Sequence, residues 1–142
     1  MREGSGLFLV FRVGERRYAL PLETVAEVAE PLPEYPIPRA PRFLRGAVNS
    51  HGTLVAVLDL AIFLELGETR QGGSLVVLAT PGRGLAVATE HVERIAGSLD
   101  LCGEEPVGDE PLVDGMLLLA DGPVRLLAVD PLLEAVEHAT AG

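Results

Sequence analysis

The sequence predicts an all-β protein with short helices, built as two copies of one five-stranded unit that each curl into a small barrel around a shared hydrophobic core. Three observations carry that prediction. First, the chain repeats itself: Leu9 and Val76, Phe11 and Leu78, Ala19 and Ala86, Val25 and Val92, and Val28 and Ile95 are matched at a constant spacing of 67 positions. Gly46, Gly52 and Asp59 match Gly115, Gly122 and Asp130 at spacings of 69, 70 and 71, as expected when loops diverge and elements persist. Second, short apolar runs flank glycine-bearing dipeptides, the pattern of tight strand reversals, because glycine reaches positive φ without steric cost. Third, Pro and Gly interrupt every apolar run before it reaches about 18 residues, so no segment reaches membrane-spanning length.

In chain order, strands over 7–13 and 16–20 flank Gly14 and Glu15, and a short strand over 26–29 follows a single turn at 21–24. The segment 31–41 carries five prolines; it reads as a rigid connector, because proline removes the donors a sheet interior needs. Strands over 47–50 and 53–58 flank His51-Gly52, after which Asp59 is placed to cap a helix through about residue 66. The second copy repeats this order. Strands over 74–80 and 85–88 flank the turn 81–84, a turn at 89–91 leads to a strand over 93–96, and strands over 116–120 and 124–129 flank Asp121-Gly122. Asp130 followed by Pro131 reads as a cap and first helical residue, starting a helix over about 130–139 with an apolar stripe of Leu132, Leu133, Val136 and Ala139. The acidic stretch 99–114 reads as a mobile loop and residues 1–6 as disordered. The expected organisation is one domain over 7–142, with subdomains over about 7–72 and 73–129 followed by the helix.

Composition excludes several function classes. The formal charge of −10 repels phosphate backbones and anionic lipid. Arg39, Arg42 and Arg45 around Pro41 are the nearest approach to a basic patch. With four Phe, two Tyr and no Trp, there is little to stack single-stranded bases. Neither nucleic acid nor direct membrane insertion is therefore expected. Cys102, the single cysteine, cannot form an internal disulfide, and its carboxylate neighbours Glu104 and Glu105 oppose a reactive thiolate. The absence of a leader-like N-terminus adds to the expectation of a cytoplasmic protein.

No catalytic constellation emerges. His51, His91 and His138 stand far apart with no second ligand at metal spacing, and no serine sits in a nucleophile elbow. Asp59 and Asp130 occupy equivalent positions in the two copies, which favours capping over a paired acid and base. The expectation is no enzyme, no cofactor and no metal, and function through protein surface.

One segment is specific. Pro38-Arg39-Ala40-Pro41-Arg42-Phe43-Leu44-Arg45-Gly46-Ala47-Val48-Asn49-Ser50-His51-Gly52, continuing through Leu54-Val55-Ala56-Val57-Leu58-Asp59-Leu60, resembles the signature of the CheW family of chemotaxis coupling proteins. Ala19-Leu20-Pro21-Leu22 and Val25-Ala26-Glu27-Val28 are similar to that family's opening, and the resemblance extends over 7–138. It implies two five-stranded SH3-like barrels and a non-catalytic adaptor joining the cytoplasmic tips of chemoreceptors to the regulatory domain of a CheA-type histidine kinase, with recruitment to receptor arrays. By position it implies that Val25, Glu27 and Val28 line a receptor groove with Asn49, His51 and Gly52 nearby, and that Gly46 and Gly115 lie near kinase-facing barrel surfaces. Core packing is the competing reading for the valines, and close backbone approach for the glycines. Two departures stand out. His51 replaces the family's usual arginine and cannot make its forked contact with a carboxylate; Ala56 replaces a usual proline. A divergent module that binds one partner only, modulating or capping an array, is the alternative.

Overall fold

Eleven strands and two helices make up the computed structural model, which describes residues 6–70, 72–80 and 84–141. The strands are β1 (Leu7–Val13), β2 (Arg16–Pro21), β3 (Val25–Ala29), β4 (Leu44–Ser50), β5 (Thr53–Asp59), β6 (Leu75–Leu78), β7 (Leu85–Ala88), β8 (His91–Gly97), β9 (Leu101–Glu105), β10 (Val113–Leu119) and β11 (Gly122–Leu127). Helix α1 (Leu60–Phe63) follows β5, and α2 (Val129–Ala141) follows β11. Single 3-10 turns at Leu22–Thr24 and Ser98–Asp100 lead into β3 and β9.

The strands form a six-stranded sheet ordered β8-β1-β2-β11-β10-β9 and a five-stranded sheet ordered β3-β6-β7-β5-β4. Each sheet draws on both copies. Hairpin β1-β2 belongs by sequence to the first copy, yet it pairs with β8 and β11; hairpin β6-β7 belongs to the second, yet it pairs with β3 and β5. The spans 7–72 and 73–129 are thus repeats in sequence, and hydrogen bonding exchanges one hairpin between them.

The exchange is reciprocal. Mapping β1, β2, β3, β4 and β5 onto β6, β7, β8, β10 and β11 converts one pairing scheme into the other, including the one parallel contact in each sheet, β2 with β11 and β5 with β7. The bulges obey the same mapping. Register shifts skip Ala26 in β3 and Glu93 in β8, and Arg45 in β4 and Asp114 in β10. A bulge bends its strand and increases twist, so equivalent bends recur in both sheets.

Burial follows from period-two alternation on strands covered on both faces. From β1, Leu9, Phe11 and Val13 enter a central core, while Phe8 and Val10 enter a second core inside the six-stranded sheet. From β6, Val76 and Leu78 enter the central core, while Leu75 and Val77 enter a third core inside the five-stranded sheet. The central core lies between the sheets and is completed by Leu132, Leu133 and Val136 of α2 and Leu60 of α1. The third core takes Val48 from β4, with Ala29 of β3 packed against it, so the two edge strands of the five-stranded sheet meet over one cluster. A flat sheet could not do this; the sheet curls.

Several elements differ from expectation. The stretch 99–114 contains β9, paired with β10 from Met116↔Glu105 to Leu119↔Leu101 with a register shift that skips Cys102, where a loop was expected, and it adds the sixth strand to its sheet. Helix α2 begins at Val129, with Leu132 N–H donating to the Ala128 carbonyl, so Asp130 lies in the first turn and not at the cap. There its charge still complements the helix dipole. Helix α1 is one turn long and stops at Phe63, short of residue 66. The turn expected at 81–84 lies, apart from Gly84, outside the described residues, as do residues 1–5 of the segment expected to be disordered. Among the described residues no helix is long and apolar enough to cross a membrane.

Candidate functional site

The β4-β5 hairpin carries three of the six sequence-derived receptor residues, Asn49, His51 and Gly52, and β3 carries Val25, Glu27 and Val28. His51 and Gly52 at its tip both have positive φ, 52° and 86°, as a two-residue reversal matched to strand twist requires. Asn49 fixes this turn, its Oδ1 accepting from the Gly52 N–H at 2.8 Å. From β3, on the opposite edge of the same sheet, Glu27 engages the tip with both carboxylate oxygens: Ser50 Oγ donates to Oε1 at 2.8 Å and His51 Nε2 lies 2.9 Å from Oε2. Side chains thereby clasp the two edges of the curled sheet.

The clasp shifts both titrating groups. The hydrogen bond to His51, then that to Ser50, holds Glu27 below its ordinary value of 4.5, and the hydrogen bond and charge of Glu27 raise His51 above 6.5. A raised histidine contributes stability that is complete below pH 6.5 and is lost as pH climbs through its folded value; a depressed carboxylate contributes above pH 4.5 and is lost as pH falls through its folded value. The clasp is therefore strongest between those limits. NMR titration of the His51 ring is expected to give a lower midpoint in Glu27→Gln than in the parent chain; equal midpoints would contradict the pairing.

Apolar surface flanks the clasp. Val28 of β3 is 43% exposed and Leu54, directly across from Asn49 in the β4-β5 ladder, is 70% exposed. At Leu54 a groove of about 420 Å³ runs along Ser50, Thr53, Val77 and Leu78. Val25 pairs with Leu78 and packs against the central core, so its side chain is chiefly structural, whereas Val28 faces outward.

Gly46 and Gly115 are not part of this cluster. They lie buried in β4 and β10, in different sheets, each one residue after a bulge. At Gly46 a Cβ would sit 2.7 Å from the Tyr35 carbonyl oxygen. Tyr35 and Ala47 exchange two backbone hydrogen bonds of 2.8 Å there, tying the proline-rich connector to β4. A side chain at 46 would lift that connector, together with the exposed Tyr35 ring.

The structure adds residues that reading the sequence missed. Arg94 of β8 binds Asp121 at the β10-β11 tip at 3.0 Å, and Arg17 lies 3.3 Å from the same carboxylate. Arg17 and Arg12 also bind Glu93, at 2.8 and 2.6 Å. Arg94, followed by Arg17, brings Asp121 down to about 2. Arg94 is the repeat equivalent of Glu27, and Asp121-Gly122 of His51-Gly52. Each sheet thus carries a strand-to-tip ion pair, with the charges reversed between copies. The repeat alignment was the signal that could have found it.

No group of three potential metal-ligating side chains occurs among the described residues. Asp59 is committed to structure: it is buried and accepts from the N–H groups of Ile62 and Thr69 and from the Thr69 hydroxyl.

Comparisons with known proteins agree with this architecture. The model of the CheW-like domain matches residues 7–137. The chain is 43% identical over 65 residues to Protein FrzA of Myxococcus xanthus, covering 46% of this chain and 41% of that protein. It is 25% identical over 61 residues to the probable chemotaxis protein CheW of Rhizobium etli, covering 43% and 39%. These matches span about two fifths of the length of the curated relatives. In fold, the chain is similar to the scaffolding protein TtCheW from Thermoanaerobacter tengcongensis, with a TM-score of 0.76 and 19% identity over 90% of this chain and 87% of that one. With the family model matched from β1 into α2, the chain belongs to the CheW-like domain family.

Proposed function

We propose that the protein is a non-catalytic cytoplasmic adaptor that joins the tips of chemoreceptors to the regulatory domain of a CheA-type histidine kinase. The observation that carries this reading is the CheW-like domain matched over residues 7–137. The surface around the clasp supports it: exposed Val28 and Leu54 offer apolar contact, and Glu27, Ser50 and His51 offer polar contact beside it. A helical receptor tip would lie along this patch. Kinase contacts would involve the surfaces backed by Gly46 and Gly115. The adaptor acts by position: holding two partners raises their effective concentration, and a change in receptor geometry biases the kinase between conformations.

Calorimetric titration of the chain with a receptor-tip fragment, and separately with a kinase regulatory domain, tests this reading. Saturable binding to each is expected. Binding to one alone would favour the module that modulates or caps an array, and binding to neither would end the proposal.

His51 has a specific consequence here. Its Nε2 is already engaged by Glu27, so a receptor carboxylate would have to compete for it. A guanidinium carries five donors and can serve both acceptors. His51→Arg is expected to tighten receptor binding several-fold, up to about tenfold for an exposed charged contact. Unchanged or weaker affinity would count against docking at this tip.

A further inference from the structure

A cavity lies away from the clasp, where the start of β2, the loop after α1 and the loop before β10 come together. It has a volume of about 590 Å³, within the range of small-molecule sites. Its apolar wall is formed by Phe63, Leu66, Leu112 and Val113.

One wall residue is anomalous. Tyr18 is fully buried, and its hydroxyl proton has no acceptor within hydrogen-bonding geometry. Buried polar groups are nearly always paired, because leaving one unpaired costs free energy. Burial raises its pKa above the ordinary 10.0, so the group is a neutral donor at physiological pH. The Arg16 guanidinium acts on the hydroxyl as a donor and partly offsets that rise, which leaves the hydroxyl's own proton without an acceptor.

Arg16 is itself weakly held. It reaches Glu110 at 3.9 Å, while Arg125 takes the same Glu110 oxygen at 3.0 Å. Inside the cavity, then, the Tyr18 hydroxyl proton stands short of an acceptor, beside the half-exposed guanidinium of Arg16. At its mouth the balance is opposite: Glu65 and Asp109 are exposed carboxylates with no ion pair among the described residues. Glu65 also holds a positive φ of 59°, an uncommon conformation for a non-glycine residue.

This polarity, acceptor wanted within and donor wanted at the rim, selects against simple ions. A carboxylate would meet Glu65 and Asp109, and an ammonium would leave Tyr18 without an acceptor. A carboxamide supplies both functions on one neutral group. We propose that this cavity is a binding site for a small ligand with an apolar body and a carboxamide head, the carbonyl accepting from Tyr18 and Arg16 and the N–H groups donating to Glu65 or Asp109. Entry requires Arg16, whose side chain is 42% exposed, to swing from the hydroxyl. The site is separate from the clasp and independent of the adaptor reading.

The test is an NMR titration of the full isotope-labelled chain with 3-phenylpropanamide, with 3-phenylpropanoate and 3-phenylpropylammonium as head-group controls. Saturable shifts are expected at residues 63–66 and 109–113 with the amide, with a Kd on the order of 1 mM for so small a probe. Both charged probes should bind more weakly. Tyr18→Phe should weaken the amide by about three- to tenfold, the effect of one lost hydrogen bond. Arg16→Gln at the more exposed position should weaken it comparably, and it decides the matter if Tyr18→Phe does not fold. Absence of saturable shifts, equal response to all three heads, or unchanged affinity in the folded variants would overturn the assignment.

Discussion

Asp59→Ala is expected to destabilise the fold by about 3–5 kcal/mol, because three buried or partly buried donors lose their acceptor together. Asp59 is 2% exposed. It accepts from Ile62 N–H at 3.1 Å, capping α1, and from Thr69 N–H at 3.1 Å and Thr69 Oγ1 at 2.7 Å. One carboxylate thus fixes both the start of the short helix and the loop that returns toward β6. Alanine would leave the buried Thr69 amide and hydroxyl without an acceptor. Thermal denaturation should show a fall in Tm of roughly 10–15 °C for a domain of this size. A fall of only a few degrees would mean that water replaces the carboxylate and that the loop is not held by it.

Gly73→Ala is expected to cost about 2–4 kcal/mol by forcing two backbone segments apart. An added Cβ would lie 1.9 Å from the Thr89 carbonyl oxygen and 2.8 Å from that of Glu90. Relief requires moving main chain, and the neighbouring hydrogen bonds from Thr89 N and Thr89 Oγ1 to the Ser74 carbonyl, at 3.1 and 2.8 Å, would be strained with it. Those bonds align the entrance to β6 with the exit from β7. Gly108 is the control, since nothing lies within 4 Å of its added Cβ; Gly108→Ala should change stability by less than about 0.5 kcal/mol. Equal denaturation midpoints for the two alanine variants would contradict the close approach.

Much of this architecture was legible because its signals are local. A glycine at a hairpin tip and short apolar runs on either side need no knowledge of distant partners, and they located β1, β2, β4, β5, β10 and β11. Positions matched by the duplication also share their burial in the structure: Leu9 and Val76 share the central core, Ala19 and Ala86 lie in the two inner cores, and Val28 and Ile95 are both exposed. What repetition cannot specify is which copy supplies a strand's neighbour. Equivalent strands present equivalent edges, so pairing within a copy and reciprocal exchange fit one apolar pattern. Strand β9 was hidden for a different reason. Leu101-Cys102-Gly103-Glu104-Glu105 lacks apolar alternation, and the strand is defined by its backbone ladder to β10.

At the candidate site, the tip residues were readable and their chemistry was not. Glycine after His51 announced a reversal, but nothing local linked that tip to Glu27, 24 residues earlier. The link arises because the sheet curls until β3 and β4, its first and last strands, face each other. The same curling explains the charge-reversed pair of Arg94 and Asp121. Either order of charges joins an edge strand to a hairpin tip, so selection for the contact leaves the signs free. Gly46 shows the reverse case. Its place in the motif suggested a partner surface, whereas its close approach to Tyr35 makes its first role structural.

Bridging is the property that separates a coupler from a protein that merely binds. An immobilised receptor-tip fragment should retain a CheA-type kinase regulatory domain only when this chain is added, with retention rising and then falling as excess adaptor saturates each partner separately. Kinase retention that is independent of the chain, or a chain held by the receptor that brings no kinase with it, would contradict the coupling account.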